Sequence, residues 1–348
     1  MGLRGKETPS FFRDFLDKCG GSAVIDGGFA TELERLGADL NDELWSAKCL
    51  ISSSSHLVRR VHLDYLDAGA NIILTASYQA TVQGFEAKGF SREEGVTMLK
   101  RSVEIAREAR EIYHDRCTKD SSDFVRNERF RKRPILIAAS VGSYGAYLAD
   151  GSEYVGEYGD AVTVQTLKDF HRERVKILVD AGADLIAFET IPNKLEAQAY
   201  AELLDEEGIE TPAWVSFNCK DECNVVSGDP TLKGFIAESA NNCCSGINCT
   251  APDFSGLISF IKKATSKPVL VYPNRGGTYI GGSNQWGKSR GLAGDDFVPY
   301  IGKGGDAGGF FFGGWCRATP NTLRGIGGAI YGKASRQMYI TGQVFFFL

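Results

Sequence analysis

The run Asp184-Leu185-Ile186-Ala187-Phe188-Glu189 decides the fold. It is short, apolar through its middle and closed by an acid. A strand buried on both faces reads as a continuous apolar run of this kind rather than as an alternating one. Helical periodicity flanks it. Residues 167–181 carry an apolar stripe that stops at Gly182, and residues 195–207 carry another that stops at Gly208; glycine is the usual residue just past a helix end. A further apolar run, 213–218, follows. Alternation of strand and helix predicts parallel strands joined by right-handed crossovers.

The same unit recurs in both directions. Strands are predicted at 23–27, 71–78, 135–141, 184–189, 213–218, 246–249, 268–273 and 309–313. Ser91 and Glu94 form a capping box that opens a helix over 91–113, with Val96, Leu99, Val103, Ile105 and Ala106 at helical spacing. Residues 254–264 give another. Eight such units predict an α/β fold, a (β/α)8 TIM-type barrel, as a single domain across residues 1–348 with its core at about 22–326. No G-x-G-x-x-G follows the first strand, so a dinucleotide-binding sheet loses its main support. The charged stretch 115–133 reads as an irregular surface insertion before strand three.

Composition narrows the partners. The net charge of -5 over 348 residues offers no basic face to nucleic acid or to an anionic membrane. No apolar run reaches the roughly 18 residues of a membrane span. Residues 1–10 lack the apolar core of a signal peptide, and Lys6 breaks the myristoylation pattern after Gly2. Nine scattered cysteines, an odd number, argue against a disulfide framework. A cytoplasmic location is expected. For any one of these cysteines a small buried hydrophobe is the favoured reading.

In such a barrel the active site sits at the C-terminal ends of the strands. Those ends carry Asp26-Gly27-Gly28, Thr75 to Gln79, Gly142 to Gly145, Glu189-Thr190, Asn218 to Asp221, Asn248-Cys249-Thr250, Tyr272-Pro273-Asn274 and Gly313-Gly314-Trp315-Cys316. Loops are polar anyway, but eight ends holding acids and thiols exceed that. None of the four histidines (His56, His62, His114, His171) falls there, so a Cys–His nucleophile pair is poorly supported. Lys220, beside an acid, is weak support for Schiff-base chemistry. Thiols without imidazole point to a soft metal, zinc first. Asp26 is alternatively a helix cap, since residues 30–36 look helical. Glu189 is alternatively a buried ion-pair partner, because an acid ending an apolar run is costly unless paired.

Four motifs sharpen this picture: Asp26-Gly27-Gly28-Phe29-Ala30-Thr31-Glu32 with Leu44-Trp45-Ser46 downstream, Phe188-Glu189-Thr190-Ile191-Pro192-Asn193, Gly246-Ile247-Asn248-Cys249-Thr250, and Gly313-Gly314-Trp315-Cys316-Arg317-Ala318-Thr319-Pro320. Together they resemble the homocysteine/selenocysteine S-methyltransferases of the plant type. The resemblance implies zinc-dependent transfer of a methyl group from S-methylmethionine, or S-adenosylmethionine, to the thiol of homocysteine, giving methionine. A selenocysteine methyltransferase is an alternative. By the resemblance Cys249 and Cys316 ligate Zn2+, Asp26 and Glu189 hold the ammonium of homocysteine, and backbone N–H groups at Gly27 and Gly28 hold its carboxylate. Asn248 orients the neighbouring thiolate and lines the substrate site. Partners are then small molecules, and the oligomeric state is left open.

The chain departs from the pattern at Trp315, where the family places a third cysteine ligand. Tryptophan cannot ligate zinc, and two thiols plus substrate leave the metal short of a tetrahedral set. Cys243 and Cys244 are no replacement: five or six residues before Cys249, at roughly 3.3 Å per residue, they fall toward the opposite mouth. Cys219 lies on the correct rim and is a candidate stand-in. Tyr272-Pro273-Asn274-Arg275-Gly276-Gly277 lacks the family's Ser-Gly-Glu after Asn. Fourteen glycines crowd residues 275–314, and the tail after Ile326 has no family counterpart. These departures keep a competing expectation open, a catalytically impaired barrel with a binding, storage or regulatory role.

Overall fold

A computed structural model describes residues 10–51, 53–120, 133–221, 223–229, 242–250, 255–274, 279–280, 285–286, 298–306 and 309–341. Eight strands form one parallel sheet: β1 (Ala23–Val24), β2 (Ile72–Leu74), β3 (Leu136–Gly142), β4 (Leu185–Ile191), β5 (Ala213–Phe217), β6 (Asn242–Asn248), β7 (Val269–Tyr272) and β8 (Gly309–Phe312). Each pairs with its neighbour in the chain, and β8 returns to β1. A parallel bridge between Ile25 and Ile72 closes the ring. There Asn71 N–H donates to the Val24 carbonyl at 2.7 Å and Asp26 N–H to the Ile72 carbonyl at 3.0 Å. The expected (β/α)8 barrel is the observed one.

Eleven helices are described: α1 (Ser10–Lys18), α2 (Phe29–Arg35), α3 (Ser55–Asp67), α4 (Val82–Ala87), α5 (Arg92–Asp120), α6 (Tyr144–Leu148), α7 (Val164–Asp180), α8 (Lys194–Glu206), α9 (Ser255–Ala264), α10 (Val298–Asp306) and α11 (Pro320–Thr341). The Ser91–Glu94 capping box forms as read, with Glu94 N–H donating to Ser91 Oγ at 3.2 Å and Ser91 N–H to Glu94 Oε2 at 2.7 Å. The charged insertion is partly corrected. Residues 115–120 continue α5, because no glycine or proline interrupts them and charged side chains suit an exposed helix face. Residues 121–132 lie outside the described residues, as does the end of the tail, 342–348. Strand six begins at Asn242, four residues earlier than its apolar run suggested.

Side chains alternate across a strand, and this alternation builds two cores. On β4, Ile186 and Phe188 face the helical layer, while Leu185 and Ala187 face the barrel interior. The interior cluster also takes Ile25, Leu74, Ala138, Trp214, Leu270 and Phe311, and helix α1 joins it through Phe12, Phe15 and Leu16. The Phe12 ring meets Phe311 edge-on at 5.7 Å. Helix α1 leads directly into β1, so it plugs the N-terminal mouth. Polar groups are left to the other end. Among the described residues no helix is long and apolar enough to cross a membrane.

Candidate functional site

Strand parity carries β4 from Leu185 and Ala187 to Glu189, which therefore points into the barrel and is fully buried. Its Oε2 accepts from Ser140 Oγ at 2.6 Å and its Oε1 from the Tyr272 hydroxyl at 3.0 Å. Tyr272 is in turn held by Trp214 Nε1 at 3.1 Å and by Ser216 Oγ. Burial pushes the Glu189 carboxyl up to about 8, against the pull of the Ser140 and Tyr272 hydrogen bonds. Asp26, at the end of β1, is fully buried as well. Leu74 N–H donates to its Oδ2 at 2.8 Å, while its Oδ1 has no partner. Burial first, and then the nearby Glu189 charge, hold the Asp26 carboxyl well above the usual range, and the Leu74 bond opposes them. Asp26 is not a helix cap: α2 begins after Gly28, which offers no side chain. Two buried carboxyls, one with an orphaned oxygen, make a place that a cation stabilises.

The thiols of Cys249, after the sixth strand, and Cys316, after the eighth, lie at the same mouth, near enough for each to act on the other. The neighbouring Cys316 thiol, followed by burial, pushes the Cys249 thiol well up. Among the described residues no third His, Cys, Asp or Glu joins them in a group able to hold a metal. Cys219 is thus no stand-in. Its thiol is buried against the Phe217 carbonyl at 3.9 Å, and burial raises it to about 12. Cys244 faces the interior cluster near the plugged end. Trp315 fills the family's third-ligand position and turns its indole edge-on to Tyr78 at 5.6 Å and to Tyr272 at 5.4 Å. A zinc site that keeps its fourth position for substrate needs three protein ligands. Among the described residues that set is not completed.

Two groups on this rim are engaged within the protein. The Asn248 amide is fully engaged by Thr190: its Oδ1 accepts from Thr190 N–H at 2.8 Å and its Nδ2 donates to Thr190 Oγ1 at 2.7 Å. Thr190 has φ 59°, a left-handed conformation unusual for a β-branched residue. Asn248 therefore clamps the residue beside Glu189. Gly28 N–H donates to the Ala318 carbonyl at 2.9 Å and is not free for a carboxylate. A Cβ there would lie 2.7 Å from the Trp315 carbonyl, so the glycine lets the end of β1 meet the turn that carries Cys316. Gly27 lies at the same seam, where a Cβ would meet Tyr65 and the Ala318 carbonyl.

The β3 side adds residues that sequence reading missed. Behind the turn after β3, Glu196 of α8 is buried and accepts from Tyr144 N–H at 2.5 Å, Tyr158 hydroxyl at 2.5 Å and His171 Nε2 at 2.8 Å. Arg174 donates to His171 Nδ1 at 2.8 Å, which fixes the proton of a neutral imidazole on Nε2. Burial, reinforced by Arg174, holds His171 well below its ordinary value. This network anchors the loop that carries a short 3-10 turn, Ser152–Tyr154. Burial and then the charges of Cys249 and Cys316 act on Tyr154, and Glu153 acts on Cys249.

A (β/α)8 barrel with paired thiols and buried carboxyls at its catalytic mouth belongs to the small-molecule enzymes that handle sulfur. The chain is a member of the homocysteine S-methyltransferase family, which it matches over residues 23–330. It is similar to homocysteine S-methyltransferase 3 of Arabidopsis thaliana, 61 % identical over 324 residues that cover 92 % of this chain and 93 % of that protein. It is similar as well to the selenocysteine methyltransferase of Astragalus bisulcatus, 60 % identical over 317 residues, 90 % of this chain and 94 % of that one. Among solved structures it resembles the homocysteine methyltransferase MmuM from Escherichia coli in its metallated form, with TM-score 0.75, 38 % identity and coverage of 90 % of this chain and 98 % of that chain.

Proposed function

We propose that the chain transfers a methyl group from a sulfonium donor, S-methylmethionine or S-adenosylmethionine, to the thiol of homocysteine, giving methionine. The observation that carries this reading is the orphaned Asp26 Oδ1 beside Glu189, both buried in the mouth that holds Cys249 and Cys316. The ammonium of homocysteine suits that pair. Its charge offsets the penalty that keeps both carboxyls high, and its N–H groups satisfy the empty oxygen. With the ammonium held there, the acceptor sulfur faces the thiol side of the mouth. The thiol proton is released to solvent, a sulfur lone pair forms the new S–C bond, and the donor's C–S bond breaks toward the donor sulfur. That sulfur leaves as a neutral thioether and needs no acid, which suits a rim without histidine.

Cys249 and Cys316 are the two zinc ligands that this chain retains, and Trp315 leaves their cage incomplete. Retention of zinc is therefore expected to be weaker than in a three-cysteine site. This favours one second reading, selenocysteine as acceptor. A selenol ionises more readily than a thiol and depends less on a metal for activation. A reducing, cytoplasmic setting fits the free thiols.

The test is direct. Purified protein is incubated with either donor and with homocysteine or selenocysteine, and the methylated product is quantified. Methionine from homocysteine supports the main reading, and a preference for selenocysteine supports the second. No product from any pairing sinks both.

A further inference from the structure

The mouth contains a second orphaned carboxylate oxygen. Glu153 Oε2 is shut away from solvent and has no hydrogen-bond partner. We propose that Glu153 receives the positive charge of the methyl donor and so sets the preference of this site for a sulfonium substrate. The inference rests on the methyl-transfer reading above.

The backbone of Glu153 is held in place. Its carbonyl accepts from Asn218 Nδ2 at 3.2 Å, and its backbone packs against Gly145 so tightly that no Cβ fits there. Both flanking residues lie in the same short turn, with Tyr154 N–H donating to the Gly151 carbonyl at 3.0 Å. The carboxyl faces the thiol side of the mouth, where its charge acts on Cys249, Tyr78 and Tyr154. Tyr78 is edge-on to Trp315, so aromatic rings border the same space. Rings attract cations through their faces, and a carboxylate with an orphaned oxygen among them is a cation receptor. Glu153 is also not a third metal ligand, since it makes no metal-holding group with the two cysteines.

Charge matching points the same way. The rim offers two unsatisfied carboxylate oxygens, Asp26 Oδ1 and Glu153 Oε2. They lie on different elements, one beside Glu189 and one beside the thiols. The reaction brings a cation for each, the ammonium of the acceptor and the sulfonium of the donor. Burial raises the Glu153 carboxyl to about 7, so a cation docking there converts a costly anion into a paired one.

The experiment compares the full-length wild type with Glu153→Gln and Glu153→Asp at pH 8. It measures KM for S-methylmethionine, KM for homocysteine, kcat and the thermal midpoint. The expected result for Glu153→Gln is a rise of at least tenfold in the donor KM, with homocysteine KM within twofold of wild type. Glu153→Asp keeps the charge and should fall between. If the Gln variant does not fold, the Asp variant alone must still raise the donor KM selectively. A donor KM within twofold of wild type in both variants overturns the inference, and so does an equal loss of both substrates. A wild type that turns over neither S-methylmethionine nor S-adenosylmethionine overturns the methyl-transfer reading and the inference together. An active wild type with unaffected variants overturns the inference alone.

Discussion

Glu189→Gln should make the substrate-free protein more stable in alkali and worse at holding homocysteine. The carboxyl is fully buried, stays protonated up to about pH 8, and would ionise near 4.5 in a free chain. A raised carboxyl binds its proton more tightly folded than unfolded. Its stabilising contribution is therefore complete below about 4.5 and is lost as pH rises through 8. Keeping the group neutral at pH 7 costs about 1.4 kcal/mol for each pH unit above its free value, about 3 kcal/mol in all. Glutamine removes that term. It keeps an oxygen for the Tyr272 hydroxyl and gives up about 1 kcal/mol through an imperfect bond to Ser140. The net gain is about 2 kcal/mol at pH 7, near zero or slightly negative at pH 5, and largest near pH 8. Urea unfolding of both proteins at pH 5, 6.5 and 8 measures this, and homocysteine affinity should fall at least tenfold in the variant. A stability difference that does not change with pH, or a variant less stable at pH 8, refutes the reasoning.

Trp315→Cys supplies the missing sulfur beside Cys316, and metal analysis after dialysis should show zinc rising from clearly below one ion per chain to about one. A wild type that already retains stoichiometric zinc would show that two thiols suffice. Asn248→Ala removes both hydrogen bonds that hold left-handed Thr190. At about 1–2 kcal/mol for each buried bond, unfolding free energy should drop by about 2–4 kcal/mol and homocysteine KM should rise; unchanged urea curves would remove the clamp assignment.

Most of the barrel was legible because short apolar runs and helical stripes differ in period, and burial on both faces enforces the difference. Glu189 was legible for the same reason, since an acid closing the run 185–188 keeps the inward parity of Leu185 and Ala187. What the sequence hid was the choice of partner. Asn248 faces inward as its strand dictates, yet it closes on Thr190, 58 residues away. Glu153 sits in a loop without periodicity, and the contacts that place it come from Asn218 and Gly145 on neighbouring units. Glu196 reads as an ordinary acid in the first turn of a helix, and only the packing of α7 on α8 turns it into the anchor of the β3 loop. The unexpected start of β6 has a simpler cause: Asn242 and Ser245 are polar, so the apolar run understates the strand.

The charges of the mouth constrain its chemistry more tightly than its thiols do. Asp26, Glu153 and Glu189 all sit above the usual carboxylate range through burial, and no lysine or arginine ion pair relieves any of them among the described residues. A site that selected anionic substrates would not hold three such groups, because each would oppose docking. A site for neutral substrates would gain nothing from the desolvation it sustains. Cationic substrates reverse both terms, as each docked cation turns a strained acid into an ion pair. In the proposed reaction, methyl transfer from a sulfonium to an amino-acid thiol discharges one of these cations, because the donor sulfur becomes neutral. The attraction that admits the donor is lost by the product at that position, so in its proposed role Glu153 favours binding of the sulfonium and release of the thioether through the same carboxylate.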